Sequence, residues 1–507
     1  MSIQKNTDAG VMRMKLQFSN QYRIRMMKKY ISAIKLIGVI TMLSFCLAFL
    51  ACQPTPQKDI VVNKGDSDKN PTIDAMLKST SAPFVPYDAP KHIKREGEEK
   101  NSVTVSFDAD IDIPTVRGGY AVTLIEKRQL SDETILRWAR YLAGDAQLVK
   151  VKEKAKADYV SEMEAIQATI AELEKGRDDL IAAGRGDDAV QWKELLANYR
   201  ASLSELQAQF NKAPDTAVSV PLNLKDFAEN EWVKFGVAGG RDSFNTMRKG
   251  NRFSYWKDYM AYGYIWESLH IWEDDFRRYD AMQEEFAFTK EQAQAVADKA
   301  LREMGGFEEY TLPHIEKCLR VKYNKVISGM WLVTYSRDNH GLPSWRQMTG
   351  ERNFLFLNPP VIGAPWELEH VYFYIDNSGI LGFSADGLGT ESMVLLENVE
   401  LLPIDEVLQR ITALLQQIYS SVNISHFHKV CVERLELRSA LISLPNEKNR
   451  GISIPVWHFS GTIRGFEKSD ETQVFELSFE FTVDARDGGY IEPIEPSVLT
   501  TVLASYR

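Results

Sequence analysis

The period of hydrophobic and polar positions changes several times along the chain, and each change marks a different kind of element. Leu36 to Ala51 is an uncharged, largely apolar run of 16 residues. It gives way to a polar tract containing Pro54, Pro56, Pro71, Pro83, Pro86 and Pro90. Such a tract buries too little apolar surface to order itself, so residues 52–100 read as a disordered stalk. Alternation in Val103-Thr-Val-Ser-Phe107 and in Tyr120-Ala-Val-Thr-Leu124 predicts a pair of strands. Ser131-Asp-Glu-Thr134 opens a helix. Apolar residues then fall at Tyr159, Met163, Ile166, Ile170 and Leu173. After Gly184-Arg-Gly186 they fall at Trp192, Leu195, Tyr199, Leu203, Leu206 and Phe210. Spacings of three and four on both sides of a glycine turn predict an antiparallel, coiled-coil-like helical hairpin within residues 131–212.

The last 220 residues repeat a pattern. Thr289-Lys-Glu-Gln292 caps an alanine-rich helix to Met304, and Ile404-Asp-Glu-Val407 opens a leucine-rich helix to Tyr419. Lys317-Cys-Leu-Arg-Val321 follows the first helix at about the distance that Val430-Cys-Val-Glu-Arg434 follows the second. Met330-Trp-Leu-Val-Thr-Tyr335 and Pro455-Val-Trp-His-Phe459 come next, apolar, aromatic and β-prone. Val371-Tyr-Phe-Tyr-Ile-Asp376 and Phe479-Glu-Phe-Thr-Val-Asp484 then close on turns at Gly379 and Gly488. The expected fold class is α+β. It has two helix-plus-antiparallel-sheet units, 288–400 and 401–507, and an N-terminal α+β module, 101–287, that bears the hairpin.

Charge and cysteines add an address. Lys28, Lys29 and Lys35 precede the apolar run, which is too short for a comfortable membrane-spanning helix of about 20 residues. Basic, then apolar, then a small residue is the layout of a cleaved secretory signal, residues 1–51. Leu47-Ala-Phe-Leu-Ala-Cys52 resembles the lipobox of bacterial lipoproteins, although Phe49 and Leu50 are bulkier than that pattern usually carries. The resemblance implies that Cys52 receives a lipid and becomes the mature N-terminus, with palmitate-like chains in the membrane; an uncleaved signal anchor is the alternative. Translation starting at Met1, Met26 or Met27 is equally compatible with this layout.

Removing residues 1–51 takes away eight of the 60 Lys and Arg and one of the 70 Asp and Glu, leaving 52 against 69 and a net charge of −17. So acidic a body disfavours nucleic acid as a partner. Only Cys318 and Cys431 remain in the folded part, too few for a disulfide framework. Their matched places leave open a cross-link or two buried thiols.

The helix, strands and closing Asp and Gly turns look like the PepSY type of extracytoplasmic unit. The whole layout, with Cys52-Gln-Pro-Thr-Pro, Val61-Val-Asn-Lys-Gly-Asp66 and the paired C-terminal units, is similar to a family of uncharacterised lipoproteins of clostridial Gram-positive bacteria. That resemblance implies an external, membrane-anchored location and brings no activity with it.

No catalytic arrangement stands out. His426-Phe-His428 has a metal-ligand spacing if it lies on a strand, but nothing places a third ligand beside it. In Glu367-Leu-Glu-His370 a strand would point Glu367 and His370 to opposite faces. Gly236-Val-Ala-Gly-Gly-Arg241 lacks the Lys and Ser or Thr of a phosphate loop and reads as a turn. Glu273, Asp274 and Asp275 are candidate acids that equally suit a solvated segment. Asp376 and Asp484 fit turn stabilisation.

The aromatic cluster with Trp256, Tyr259, Tyr262, Trp266 and Trp272 is the best binding candidate, against core packing as the plain alternative. No metal or cofactor is implied. The functional expectation is non-catalytic binding of a peptide, protein or cell-wall glycan at the outer face of the cell membrane. A solute-binding lipoprotein of a transporter and a cell-wall hydrolase are the alternatives.

Overall fold

A computed structural model describes residues 82–491, apart from residue 98, 183–189, 239, 241, 258–287, 323–324, 345–363, 368, 421–425, 445–446 and 468–472. Among the described residues strand outweighs helix, 45% against 28%.

In chain order the first elements are β1 (His92–Arg95), β2 (Glu99–Lys100), β3 (Val103–Asp112), β4 (Val122–Lys127), α1 (Asp132–Ala143) and β5 (Leu148–Glu153). The hairpin helices α2 (Lys156–Ala182) and α3 (Val190–Phe210) follow. Next come β6 (Val218–Pro221), β7 (Trp232–Val237), β8 (Ser243–Met247) and β9 (Arg252–Trp256). Helix α4 (Lys290–Met304) leads to β10 (Tyr310–Lys322), β11 (Lys325–Asn339), β12 (Leu342–Pro343), β13 (His370–Asp376), β14 (Gly379–Asp386) and β15 (Gly389–Leu396). Helix α5 (Ile404–Ser420) leads to β16 (His426–Leu444), β17 (Glu447–Glu467), β18 (Gln473–Asp484) and β19 (Tyr490–Ile491).

Two large sheets result. The first runs β10-β11-β13-β14-β9-β8-β7-β5-β6, with β12 pairing β11. The second runs β1-β3-β16-β17-β18-β19, with β2 on β3, and β4 pairing both β15 and β17. All pairings are antiparallel except β3 on β16, which is parallel.

Helices α1 and α4 cover one face of the first sheet. Ser131 and Thr289 cap them, the latter with a full capping box to Gln292. Ala293, Ala297 and Ala300 fall on one stripe of α4 and let it approach the strands closely. Trp138 of α1 is buried, stacks on Phe307 at 4.6 Å, and donates from its indole N–H to the Gly305 carbonyl at 3.1 Å. Helix α5 lays Val407, Leu408, Ile411, Leu414 and Leu415 against the second sheet around Val432, Leu435 and Phe459.

This architecture corrects the expected α+β fold with two PepSY-like units. Each C-terminal helix is followed by a long antiparallel hairpin, but neither set of strands closes as a unit. The first sheet is completed by β5–β9 from the N-terminal half, and the second by β1–β4. Local periodicity reports which residues form strands; pairing partners separated by hundreds of residues leave no local trace.

Three finer corrections follow, and the state of the two cysteines is decided. Residues 82–100 belong to the folded body and not to a stalk: Tyr87 packs on Trp457 at 5.5 Å, and Ile93 is buried. The prolines there restrict the backbone without removing the apolar anchors between them. The strands predicted around Val103 and Tyr120 do not pair with each other, because β3 takes β16 and β4 takes β15 and β17. The helical hairpin is confined to α2 and α3, since α1 is a core helix of the first sheet. Its arms run antiparallel, with Lys156 near Pro214, Glu174 bonded to Arg200, and Gly176 against the Trp192 ring. It springs from between β5 and β6, neighbours in the sheet, so it is an insertion in one strand connection. Cys318 and Cys431 are free thiols on different sheets.

Candidate functional site

The two sheets meet at the turn Asp386-Gly387-Leu388-Gly389 between β14 and β15. Hydrogen bonds from several elements hold this turn. The Gly387 N–H donates to the Asp386 carboxylate at 2.8 Å, and its carbonyl accepts from the Trp366 indole at 2.9 Å. The Asn251 amide forms a two-way pair with the Leu388 backbone, both bonds 2.8 Å. The Leu388 carbonyl also accepts from the Arg128 N–H at 2.9 Å. The Gly389 N–H donates to Glu369 at 3.0 Å. Gly387 sits at φ +64°, which favours glycine, and a Cβ on Gly389 would lie 2.4 Å from the Ile125 side chain. The turn is therefore a fixed reference point onto which side chains from both sheets converge.

A cleft of about 180 Å³ opens beside it. Its cations are Lys127 and Arg128 from the end of β4, and Lys249 and Arg252 from the β8–β9 hairpin. Its carboxylates are Glu367 and Asp386. The amide side chains of Asn230, Asn251 and Asn449, with Trp232 and Met247, complete the lining. Lys127 holds Glu367 at 2.9 Å, Arg252 holds Asp386, and Lys249 holds Glu229. Among the described residues the Arg128 guanidinium bonds only neutral oxygens, those of Gly306, Gly389 and Thr390. The Arg252 guanidinium also lies over the exposed Trp232 ring, 5.5 Å from its centre.

The two carboxylates are driven apart electrostatically. The Asp386 side chain is only 4% exposed, and burial pushes its carboxyl up to about 7 against the opposing pull of Arg252 and the Gly387 N–H. Burial is the largest single influence on Glu367 and raises it, but the hydrogen bonds from Lys127 and its own backbone N–H, with the attraction of Lys127 and Arg252, together bring the carboxyl below its usual range.

Behind the turn, Arg337 and Glu369 form a buried pair, 2% and 8% exposed, with Nε to Oε1 and Oε2 distances of 3.2 and 3.0 Å. The Tyr310 hydroxyl donates to Glu369 at 2.7 Å. Burial, and then the neighbouring Glu369, hold that hydroxyl well above the usual tyrosine value. Desolvation raises the nearby Glu309 carboxyl as well. Asn339, 1% exposed, joins the sheets by accepting from Thr123 at 3.0 Å and donating to Ser453 at 3.1 Å.

The residues singled out from sequence fall elsewhere. Trp256, half-buried, stacks on Tyr374 at 5.4 Å and packs over Gly382 on a face of the first sheet, away from the cleft. Tyr259, Tyr262, Trp266 and Trp272 lie outside the described residues, as do Cys52 and the acids 273–275. His428 is buried 6.4 Å from the Tyr419 ring, and the ring of His370 bonds the Ser384 hydroxyl at 3.2 Å. Gly236 and Val237 end β7, so the glycine-rich segment leads out of a strand. Asp376 and Asp484 each accept a backbone N–H in their own turns, at 2.7 and 2.9 Å. Among the described residues no group of three or more metal-ligating side chains comes together.

Sequence reasoning missed Arg252 and Asp386. They are Cα partners across β9 and β14, a pairing that only the sheet register creates. The one local signal was Asp386-Gly387, the same Asp and Gly turn chemistry noted at Asp376 and Asp484.

No protein family profile matches the chain, and no curated protein does. A crystal structure of an uncharacterized protein from Eubacterium rectale aligns over 83% of this chain and 98% of its own, with a TM-score of 0.44 and 10% identity.

Proposed function

We propose that the chain is a lipid-anchored extracytoplasmic protein that binds a peptide, protein or cell-wall component without transforming it, and that the cleft beside Asp386 is its contact site. The supporting observation is the gathering of Lys127, Arg128, Lys249 and Arg252 around one cleft in a chain of net charge −10. Such a local reversal of sign draws anionic groups to that point and away from the rest of the surface. Trp232 and the amide side chains add a flat apolar contact and hydrogen-bonding capacity suited to peptide-like groups. The anchor is Cys52, whose acyl chains would hold the body at the membrane's outer face.

Two measurements test this. Growth with an alkyne-labelled fatty acid marks the wild type and leaves Cys52→Ser unlabelled. Thermal-shift screening against amino acids, short peptides and wall fragments finds a stabilising compound, since a ligand at a hundred times its Kd adds about 2.7 kcal/mol. An equally unlabelled wild type sinks the anchor, and a flat screen sinks the binding role.

One observation favours a second reading, a wall hydrolase. Asp386 and Glu367 share a cleft in which one is held near neutrality and the other is held ionised, the separation an acid and base pair needs. Hydrolysis of wall fragments that disappears in both Asp386→Asn and Glu367→Gln would establish that reading over the first.

A further inference from the structure

The cleft already holds a carboxylate on an arginine, its own, and this defines what it recognises. Arg252 reaches Asp386 across the β9–β14 register, yet its side chain remains 38% exposed towards the cleft, whereas Asp386 is 4% exposed. The guanidinium therefore has donors left for a group arriving from solvent. That group meets Lys249 and Arg128 on the same walls, Trp232 under the guanidinium, and the amides of Asn230 and Asn449. At about 180 Å³ the cleft is smaller than the several hundred Å³ of sites that enclose a whole organic ligand, so it takes a terminal group.

We propose that this cleft captures the terminal carboxylate of a short peptide on Arg252, and that Asp386 is protonated in the complex. The inference rests on the cleft being the binding site and adds the ligand's chemistry and its proton linkage. An anion seated on Arg252 lies beside the Asp386 carboxylate, and two carboxylates at one guanidinium in a buried setting share a proton. The proton comes from solvent and no bond within the ligand is made or broken; uptake approaches one proton per ligand at pH 8 and is small at pH 6, where the free carboxyl already holds its proton.

The groups that face Asp386 fit this. Arg252 approaches from β9 and Glu367 from the segment before β13. His370 is its Cα partner on β13, Tyr372 lies two residues along that strand, and Lys127 comes from β4. Lys127 is already committed to Glu367, which leaves Arg252 as the one cation bonded to Asp386 among the described residues. The position of Asp386 near neutrality makes the proton accessible at ordinary pH.

Isothermal titration of the full chain with N-acetyl-Ala-Ala, its C-terminal amide and inorganic phosphate, at pH 6 and pH 8, tests the proposal. The free acid binds and the amide does not. Affinity for the acid falls about tenfold from pH 6 to pH 8, the change one linked proton gives across the unit above its midpoint. Asp386→Asn removes that pH dependence, which a titrating His370 would leave in place.

Arg252→Gln weakens binding at least tenfold, with far-ultraviolet circular dichroism as the folding check. Lys249→Gln, at the exposed rim, weakens it by a smaller factor that salt abolishes. Equal binding of acid and amide, binding of phosphate alone, or no binding of any probe overturns the proposal. A different compound that stabilises the chain equally well in Arg252→Gln would overturn it while leaving a binding role intact.

Discussion

Replacing Asp386 by Asn separates the electrostatics of the cleft from its shape, because Asn keeps the size of the protonated acid and cannot ionise. The folded-state carboxyl titrates near 7, against an ordinary value of 3.8, so the folded chain retains a proton that the unfolded chain has released over roughly three pH units. At 1.36 kcal/mol per unit, the ionised folded form above pH 7 is less favourable by about 4 kcal/mol than it would be with an ordinary carboxyl. The sign follows: the contribution of Asp386 to stability is full below pH 4 and is lost as pH rises through 7. Because the side chain is 4% exposed, little of this is screened by solvent.

Urea unfolding at pH 5, 6.5 and 8 reads the effect. At pH 5 the wild type is already about 1.6 kcal/mol less stable than Asp386→Asn, because its unfolded carboxyl has ionised there while the folded one, like Asn, still presents a neutral side chain to Arg252. By pH 8 the wild type has lost several kcal/mol relative to the variant, which comes out the more stable of the two; the exposed Arg252 is solvated once its partner is neutral. Parallel pH profiles for the two proteins would refute the placement of Asp386 as a buried, proton-retaining group.

Other consequences are as specific. Glu369→Gln leaves Arg337, 2% exposed, without its charge partner and lowers stability by about 3–5 kcal/mol in urea, whereas a loss under about 1 kcal/mol would show the pair to be solvated. Asn339→Leu strands the Thr123 and Ser453 hydroxyls between the sheets and costs about 1–3 kcal/mol, read from the same transitions. Thr289→Ala removes the capping box of α4 and costs about 1 kcal/mol. Cys318 is buried and its thiol is pushed up to about 12, so at pH 8 it reacts with a disulfide reagent only after unfolding; prompt reaction in the native chain would contradict its burial.

Much of the secondary structure was legible because it is written in local chemistry. Thr289 and Ser131 cap helices through their own hydroxyls. The three-and-four spacing from Tyr159 to Phe210 makes two antiparallel arms, and Asp376 and Asp484 bind the backbone of their own turns. The assembly was not legible, because it depends on partners distant in sequence. β3 pairs with β16 more than 300 residues later, and β9 completes a sheet begun by β14. Nothing in Val103–Phe107 itself distinguishes a hairpin partner from a parallel one.

The same holds for the cleft. Lys127, Arg252, Glu367 and Asp386 each sit at the end of a strand or in the segment leading to one, where a charged residue normally means solvent. Their convergence is a product of two sheets meeting. In Glu367-Leu-Glu-His370 the strand period separates Glu367 from His370, but it gives no sign that Glu369, between them, is buried on Arg337.

The reading of the cleft as the place where the chain meets its ligand is tested most directly by hydrogen–deuterium exchange of the full chain, with and without a compound that stabilises it. Added protection should concentrate in peptides covering Lys249–Arg252 and Asp386–Gly389, with the hairpin arms α2 and α3 unchanged. Protection confined to those arms, or to the β10 side of the first sheet, would contradict it.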